Sequence, residues 1–381
     1  MKKILKAAAV LMLTLTVICT ACTKDSDNGG GNGNENTTVL PTGIYLGVIG
    51  FNQDLFIKPI AKLDDAAIKE TKKFIDGLTL GGATLLYHAV NTSIDNLKLV
   101  GIPEDLVNVS IVNFTDGLDK GSYAMNDNYS SGVEYLQAVT KRIRNEKIAG
   151  LEIESHTIGI QGNDVYSYDE AEFLDNLNGL SSLPAEKYVH YVTSFSDVQQ
   201  AFKAIADSLH KVTSNPVLTI KMPVENPNTR VRFTTDVTTS GPDDALNSES
   251  YIEGVYITGS DGNGTLTNVK YHGLKSSSGS TVTSKTEGVF AVFRFEGMRD
   301  ANNNDFDEQS IAHLKEWLHN DNANKWIHNS EFSSSGNVVV NNAYFSSMIM
   351  LNLDCSQSLG DEKFSELKTY AKKFINVLNV N

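Results

Sequence analysis

Cysteine is nearly absent, with three in 381 residues: Cys19, Cys22 and Cys355. Two of them sit in the first 22 positions, so the body of the chain holds Cys355 alone and no disulfide framework can form there. Stability must come from packed apolar cores, for which roughly 360 residues are ample, enough for two domains. Positive charge is short as well: 32 Lys and Arg stand against 46 Asp and Glu, a formal net charge of −14. Nucleic acid and anionic membrane surfaces repel such a chain, so neither is an expected partner. The apolar run at residues 7–18 is too short to span a bilayer as a mature helix.

What the N-terminus does have is the pattern of a targeting segment. Lys2, Lys3 and Lys6 precede the apolar run, and small residues lead into Cys22. Residues 1–21 resemble a bacterial lipoprotein signal, which implies Cys22 as the lipidated first residue; plain secretion with cleavage near Ala21 is the other reading. Residues 22–42 then form a tether, rich in Gly, Asn and Asp. Asp25 and Asp27 resemble the surface-export signal of Bacteroides-group lipoproteins. That resemblance implies an outer-membrane protein, held to the membrane by lipid alone and exposed at the cell surface.

From residue 43 apolar strands alternate with amphipathic helices. Strands are expected at 44–51, 55–60, 107–114, 151–160 and 187–194, and helices at 65–78, after 81–84, at 132–143, 168–177 and 197–209. This βα repeat implies an α/β fold: an open, doubly wound, mostly parallel sheet with helices on both faces. The texture changes at residue 214. Residues 214–345 are rich in Thr, Ser, Asn and Gly with short alternating runs, read as an inserted antiparallel β-sandwich-like domain with one helix at 311–318. One more strand, 347–353, and an amphipathic helix close the chain.

Three stretches carry chemistry. Asp354, Ser356 and Ser358 follow the last strand in alternation, Thr84 ends the Gly-Gly-Ala-Thr loop, and Asp116 follows strand 107–114 in a Thr-Asp-Gly turn. All fall where a parallel sheet binds ligands, beyond the carboxyl ends of its strands. Two carboxylates and three hydroxyls are hard oxygens that suit Mg²⁺, Mn²⁺ or Ca²⁺ rather than Zn²⁺. The same residues also suit blander work, as helix N-caps and turn formers.

Together these stretches resemble the von Willebrand factor type A domain: residues 81–90 its threonine loop, 109–122 its fourth strand, 156–164 and 188–206 its fifth and sixth. The family's Asp-x-Ser-x-Ser signature, which opens its first strand-loop, stands here at 354–358, near the C-terminus. The resemblance therefore implies a circularly permuted domain over 43–213 and 346–381. Strand 347–353 should then lie between 44–51 and 107–114, parallel to both. It further implies that Ser356, Ser358 and Thr84 hold a divalent cation, Mg²⁺ first, with Asp354 and Asp116 acting largely through water. One position would be left for an acidic residue of a protein or matrix partner, so the function expected is adhesion and not catalysis.

Two alternatives remain. A metal-dependent hydrolase would want a second acid two residues after its aspartate, where Ser356 stands, and a serine hydrolase would want Gly-x-Ser-x-Gly, which does not occur. A pilus-like subunit whose β domain does the binding is the other. Among lesser candidates, residues 300–308 alternate oxygen side chains like a calcium loop but lack its glycine and spaced glutamate. His156 and His190 read as packed strand residues, and Cys355 as a buried thiol pointing away from its neighbours. Trp317 and Trp326 read as core of the β domain, although an exposed Trp326 would suit glycan binding.

Overall fold

The computed structural model describes residues 38–161, 169–223, 228–235, 248–258, 264–276, 283–287, 290–307, 309–328 and 338–378. Cys22, the signal, most of the tether and residues 162–164 of one family-like stretch lie outside them.

The first body is a six-stranded sheet. Its elements are β1 (Ile44–Phe51), β2 (Leu55–Lys62), α1 (Asp65–Asp76), α2 (Leu86–Leu99), β3 (Leu106–Thr115), α3 (Gly132–Asn145), β4 (Glu154–Ile160), α4 (Glu170–Gly179), β5 (Val189–Val192), α5 (Phe195–Thr213), β6 (Ser346–Asp354) and α6 (Gly360–Leu378). The spatial order is β2-β1-β6-β3-β4-β5, parallel throughout except for the β1–β2 hairpin. The sheet is thus mostly parallel, and β6 lies between β1 and β3, parallel to both, as the cyclic order of the motifs requires.

The reason lies in burial on both faces. Every residue of β1 and β6 is buried, the continuous apolar pattern of a strand roofed on two sides. On one face Ile349, Leu351 and Leu353 pack with α1, α5 and α6 through Ile75, Phe202 and Phe374. On the other, Met348 and Met350 pack with α2 and α3 through Val90, Ile94 and Tyr135. The helices start where the sequence signals them: Asp64, Ser131 and Ser194 each accept the backbone N–H three residues on.

The described residues of 214–344 build two larger antiparallel sheets and a two-stranded one, Leu274–Ser276 with Met298–Asp300. Of the larger two, one orders Thr283–Glu287, Phe290–Glu296, Ser214–Pro223 and Val338–Tyr344. The other orders Gly264–His272, Tyr251–Thr258, Thr229–Thr234, Lys315–Asn320 and Lys325–His328. Their inner side chains meet in one core, where the Phe233 ring lies 5.5 Å from that of Phe293 and 5.9 Å from that of Phe295.

The expected helix at 311–318 is not there. Residues 311–313 are turns and Lys315–Asn320 is a strand, paired on both sides. Ile311, Leu314 and Leu318 mimic helical spacing, but the strand's own period of two, with Trp317 on one face and Leu318 on the other, prevails once neighbours supply the ladder. Trp326 is buried, not exposed. The calcium-loop reading of 300–308 fails too, for its acids are already engaged. Asp300 accepts from Asn304, Asp307 from Ser310, and Asp305 binds Arg299 and the Ser214 hydroxyl; Glu308 lies outside the described residues.

Glu316 generates a prediction. It pairs with Phe233, so it faces the inter-sheet core, is 2 % exposed and has neither carboxylate oxygen hydrogen-bonded among the described residues. Burial pushes its carboxyl up to about 7. The folded protein therefore holds a proton that the unfolded chain releases near pH 4.3, and stability falls as pH rises from there to about 7. The loss is at most about 4 kcal/mol. Glu316→Gln should flatten the dependence of denaturation midpoint on pH between 4 and 8; an unaltered slope would remove Glu316 as its source.

Candidate metal centre

The loops after β6 and β3 leave adjacent strands for opposite faces: the first leads to α6, the second to α3. Between them opens the crevice of a topological switch point, where α/β sheets take ligands. Asp354 ends β6 and Asp116 follows β3, and both are buried.

Asp354 is held by several donors. The Thr115 hydroxyl donates to Oδ2 at 2.7 Å, the Ser356 N–H donates to Oδ1 at 2.8 Å, and the Asp116 N–H donates as well. Ser356 and Ser358 turn toward Asp116: their hydroxyls lie 3.2 and 2.9 Å from its Oδ1 and 2.8 Å from each other. Ser356 occupies the N-cap position of the short turn Gln357–Leu359, yet makes no side-chain cap bond. The capping explanation therefore fails for Ser356. The turn explanation does hold for Thr115, whose hydroxyl also bonds Gly117.

The threonine loop is stitched to this centre through its backbone. Gly81 N–H donates to the Cys355 carbonyl at 2.9 Å, and Gln357 N–H donates to the Gly81 carbonyl at 2.8 Å. Such proximity needs glycine: a Cβ at Gly81 would lie 2.3 Å from Asn52 Nδ2. Thr84 follows, buried, with its carbonyl taking the Lys120 N–H at 2.8 Å. Its hydroxyl bonds none of the other four side chains among the described residues. The structure thus joins Asp354, Ser356, Ser358 and Asp116 by direct hydrogen bonds, and Thr84 by its loop.

Burial raises the Asp354 carboxyl to about 6, against the pull of its donors. Among the described residues it has no cationic partner, so an ionised Asp354 lacks a counter-charge. The donor set fits a hard cation. A serine hydroxyl that gives its one proton to a neighbour keeps lone pairs free for a cation. Among the described residues no three His, Cys, Asp or Glu side chains gather, so the hydroxyls carry much of the set.

Cys355 is fully buried in the core on the α5–α6 side, away from Asp354. His156 and His190 stack 6.1 Å apart on β4 and β5, and burial lowers both, His156 to about 3. They are packed neutral rings. Four contributors escaped the sequence reading: Thr115, Asn52, Asp119 and Ser122. Asn52 serves the β1–β2 turn but also anchors the threonine loop, its carbonyl taking Leu85 N–H and its amide donating to Thr79. Asp119 and Ser122 cap α2 from another loop, accepting the Tyr87 and His88 N–H groups at 3.1 and 3.0 Å. A cap borrowed from a distant loop leaves no local signal; Leu85 at the N-cap position, with no capping side chain, is the one hint.

Comparison of the chain with protein-family models, with curated proteins and with solved structures finds no match.

Asp119→Ala should therefore loosen the threonine loop without touching any of the five candidate residues. Loss of a cap costs about 1 kcal/mol. Hydrogen exchange at the Tyr87 and His88 amides should accelerate several-fold, and unchanged exchange would show that the borrowed cap does not hold the helix start.

Proposed function

We propose that this chain is a binding protein whose divalent-cation site grips an acidic group on a protein or matrix partner. The observation that carries the reading is the convergence of Asp354, Ser356 and Ser358 on Asp116 at the switch point of a parallel sheet. In finer detail the sheet is read as a von Willebrand factor type A domain, permuted so that its signature strand comes last. Ser356, Ser358 and Thr84 would hold the ion, Mg²⁺ first, with Mn²⁺ and Ca²⁺ as alternatives; Asp354 and Asp116 would balance its charge. The ion supplies an electrophilic position for an anionic oxygen. The chain's residues supply the rest: Thr115 orients Asp354, and the Gly81 stitch holds the threonine loop against residues 355–357.

The position of the β part supports binding at an open tip over chemistry in a cleft. The chain passes into it at Ser214 and out of it at Tyr344, which pair with each other beside the start of β6. The nine residues of β6 rise about 3.3 Å each, so roughly 25–30 Å lies between that junction and Asp354. Anchorage by lipid at Cys22 on the outer membrane belongs to the same reading.

Asp354→Ala tests the site. It removes a buried carboxylate without a counter-charge but orphans the donors that held it, the Ser356 and Asp116 N–H groups among them, opposing effects, so metal-free stability should change by no more than about 1–3 kcal/mol. Mg²⁺ or Mn²⁺ binding, read by calorimetry, should vanish. Unchanged metal affinity in this variant would sink the assignment.

A further inference from the structure

The chain is acidic, yet one face of the five-stranded sheet gathers cations. Strand alternation and pairing place Arg230, Arg232, Lys270 and Lys315 on its outer side, together with Trp317, Trp326, Tyr251 and His272. Glu253 is the sole carboxylate among the described strand residues of that face. Where the Gly264–His272 strand bulges, setting Asn268 and Val269 opposite Gly254 alone, a groove of about 450 Å³ opens, lined by Arg230, Glu253, Val255, Asn268 and Lys270. That volume is within the usual range of small-ligand pockets, ~300–1,000 Å³.

The groove is built, not incidental. Arg232 donates from Nε and Nη2 to Glu253 Oε2, and Arg230 donates from Nη2 to Oε1 at 3.0 Å. Both guanidinium groups lie over the buried Trp326 ring, 4.6 and 5.2 Å from its centroid, and Arg232 also covers Tyr251 at 4.3 Å. Arg230 is thereby fixed in place while its side chain stays 41 % exposed. Its bond to Glu253 uses one of five N–H donors. Lys270 is exposed and makes no hydrogen bond or ion pair among the described residues; Asn268 is exposed at the bulge of its strand, with left-handed φ 53°.

We propose that this groove binds a carboxylated sugar, with Arg230 and Lys270 receiving the carboxylate and Asn268 and Glu253 receiving ring hydroxyls. Two guanidinium groups neutralise Glu253, so it does not repel the ligand, and its Oε1, which takes a single donor from Arg230, keeps a lone pair for a hydroxyl proton. A bare anion would leave that acceptor and the Asn268 amide unused, and a neutral sugar would leave the remaining Arg230 donors and the Lys270 ammonium unused. Val255 offers apolar surface for a sugar's C–H face. The proposal is independent of the metal site, which lies in the other body of the fold.

The test is calorimetry on the full chain in EDTA, which takes the cation site out of play. Trigalacturonate should bind, and neutral galactotriose should bind at least tenfold more weakly. Inorganic phosphate should not displace the acidic trisaccharide at equal concentration. Arg230→Ala and Lys270→Ala should each raise Kd about tenfold, the loss of one charge-assisted hydrogen bond. Lys270 touches nothing that holds the fold, so its variant decides the matter even where Arg230→Ala proves unstable. Equal binding of the acidic and neutral sugars, binding indifferent to Lys270→Ala, binding of phosphate alone, or no binding at all would each overturn the proposal.

Discussion

The parallel ladders that β6 makes with β1 and β3 join the chain's far end to its first and third strands, in continuous register from Ser347 to Asp354 on β1 and from Ser347 to Leu353 on β3. The hydrogen bond from Thr115 to Asp354 spans 239 positions. Until β6 is in place, β1 and β3 are bare strand edges bearing apolar side chains on both faces, and their pairing must wait for the most non-local contacts in the molecule. Once β6 inserts, it completes two cores at once, because its alternate residues face α5 and α6 on one side and α2 and α3 on the other. The candidate site forms in the same event, since Asp354 belongs to this strand and Asp116 follows its neighbour.

Register matters more here than apolar burial alone can enforce. A slip by one residue would exchange the two faces of β6, and both are apolar, so the hydrophobic penalty is small. A polar ladder supplies the discrimination. The Ser93 hydroxyl donates to Asn352 at 2.8 Å, Asn352 donates to Asn113 at 2.7 Å, Asn113 to Ser155 at 3.2 Å, and Ser155 to the Leu180 carbonyl at 2.5 Å. Serine and asparagine side chains here are all fully buried. A slipped Asn352 would face Leu351's surroundings with no partner for its amide, at a cost of about 1–3 kcal/mol for each unsatisfied group. One asparagine thus fixes where Asp354 ends up.

Much of this was legible in the sequence, and what was not has a physical reason. Periodicity found β1 to β6 and the helices between them because those elements carry their own burial pattern. It misread 311–318 because three apolar residues fit a helix and a strand alike, and only the partners Thr229–Thr234 and Lys325–His328 decide between the two. Asp354, Ser356, Ser358 and Asp116 could be named from loops that follow strands, and Thr84, between α1 and α2, from the resemblance of its loop. Thr115 could not be separated from its turn, and Asp119 and Ser122 act on a helix more than 30 residues upstream, with nothing local to show it. Sequence spacing reports what a residue does to its own segment; cross-loop work is visible only once the sheet has brought the segments together.

The two ends of β6 then set what can and cannot move. At its start, Phe345 N–H donates to the Thr213 carbonyl at 2.8 Å, while Arg299 donates to the carbonyls of Lys211 and Ser214 and also binds Asp305, which takes the Ser214 hydroxyl. The β part is clasped to the end of α5 and to the start of β6 by the same few residues. At its other end stand Asp354 and the serines. Sliding β6 to relay a signal between the two would break the Asn352 ladder and shift nine buried residues at once. Adjustment at the candidate site must therefore come from the segments with room to give: residues 355–359, tied to the threonine loop by two backbone bonds at Gly81, and the Asp119–Ser122 cap. These link the serines to the start of α2, so a change in how Ser356 and Ser358 bond Asp116 has its nearest outlet in that helix, on the face of the sheet away from α6.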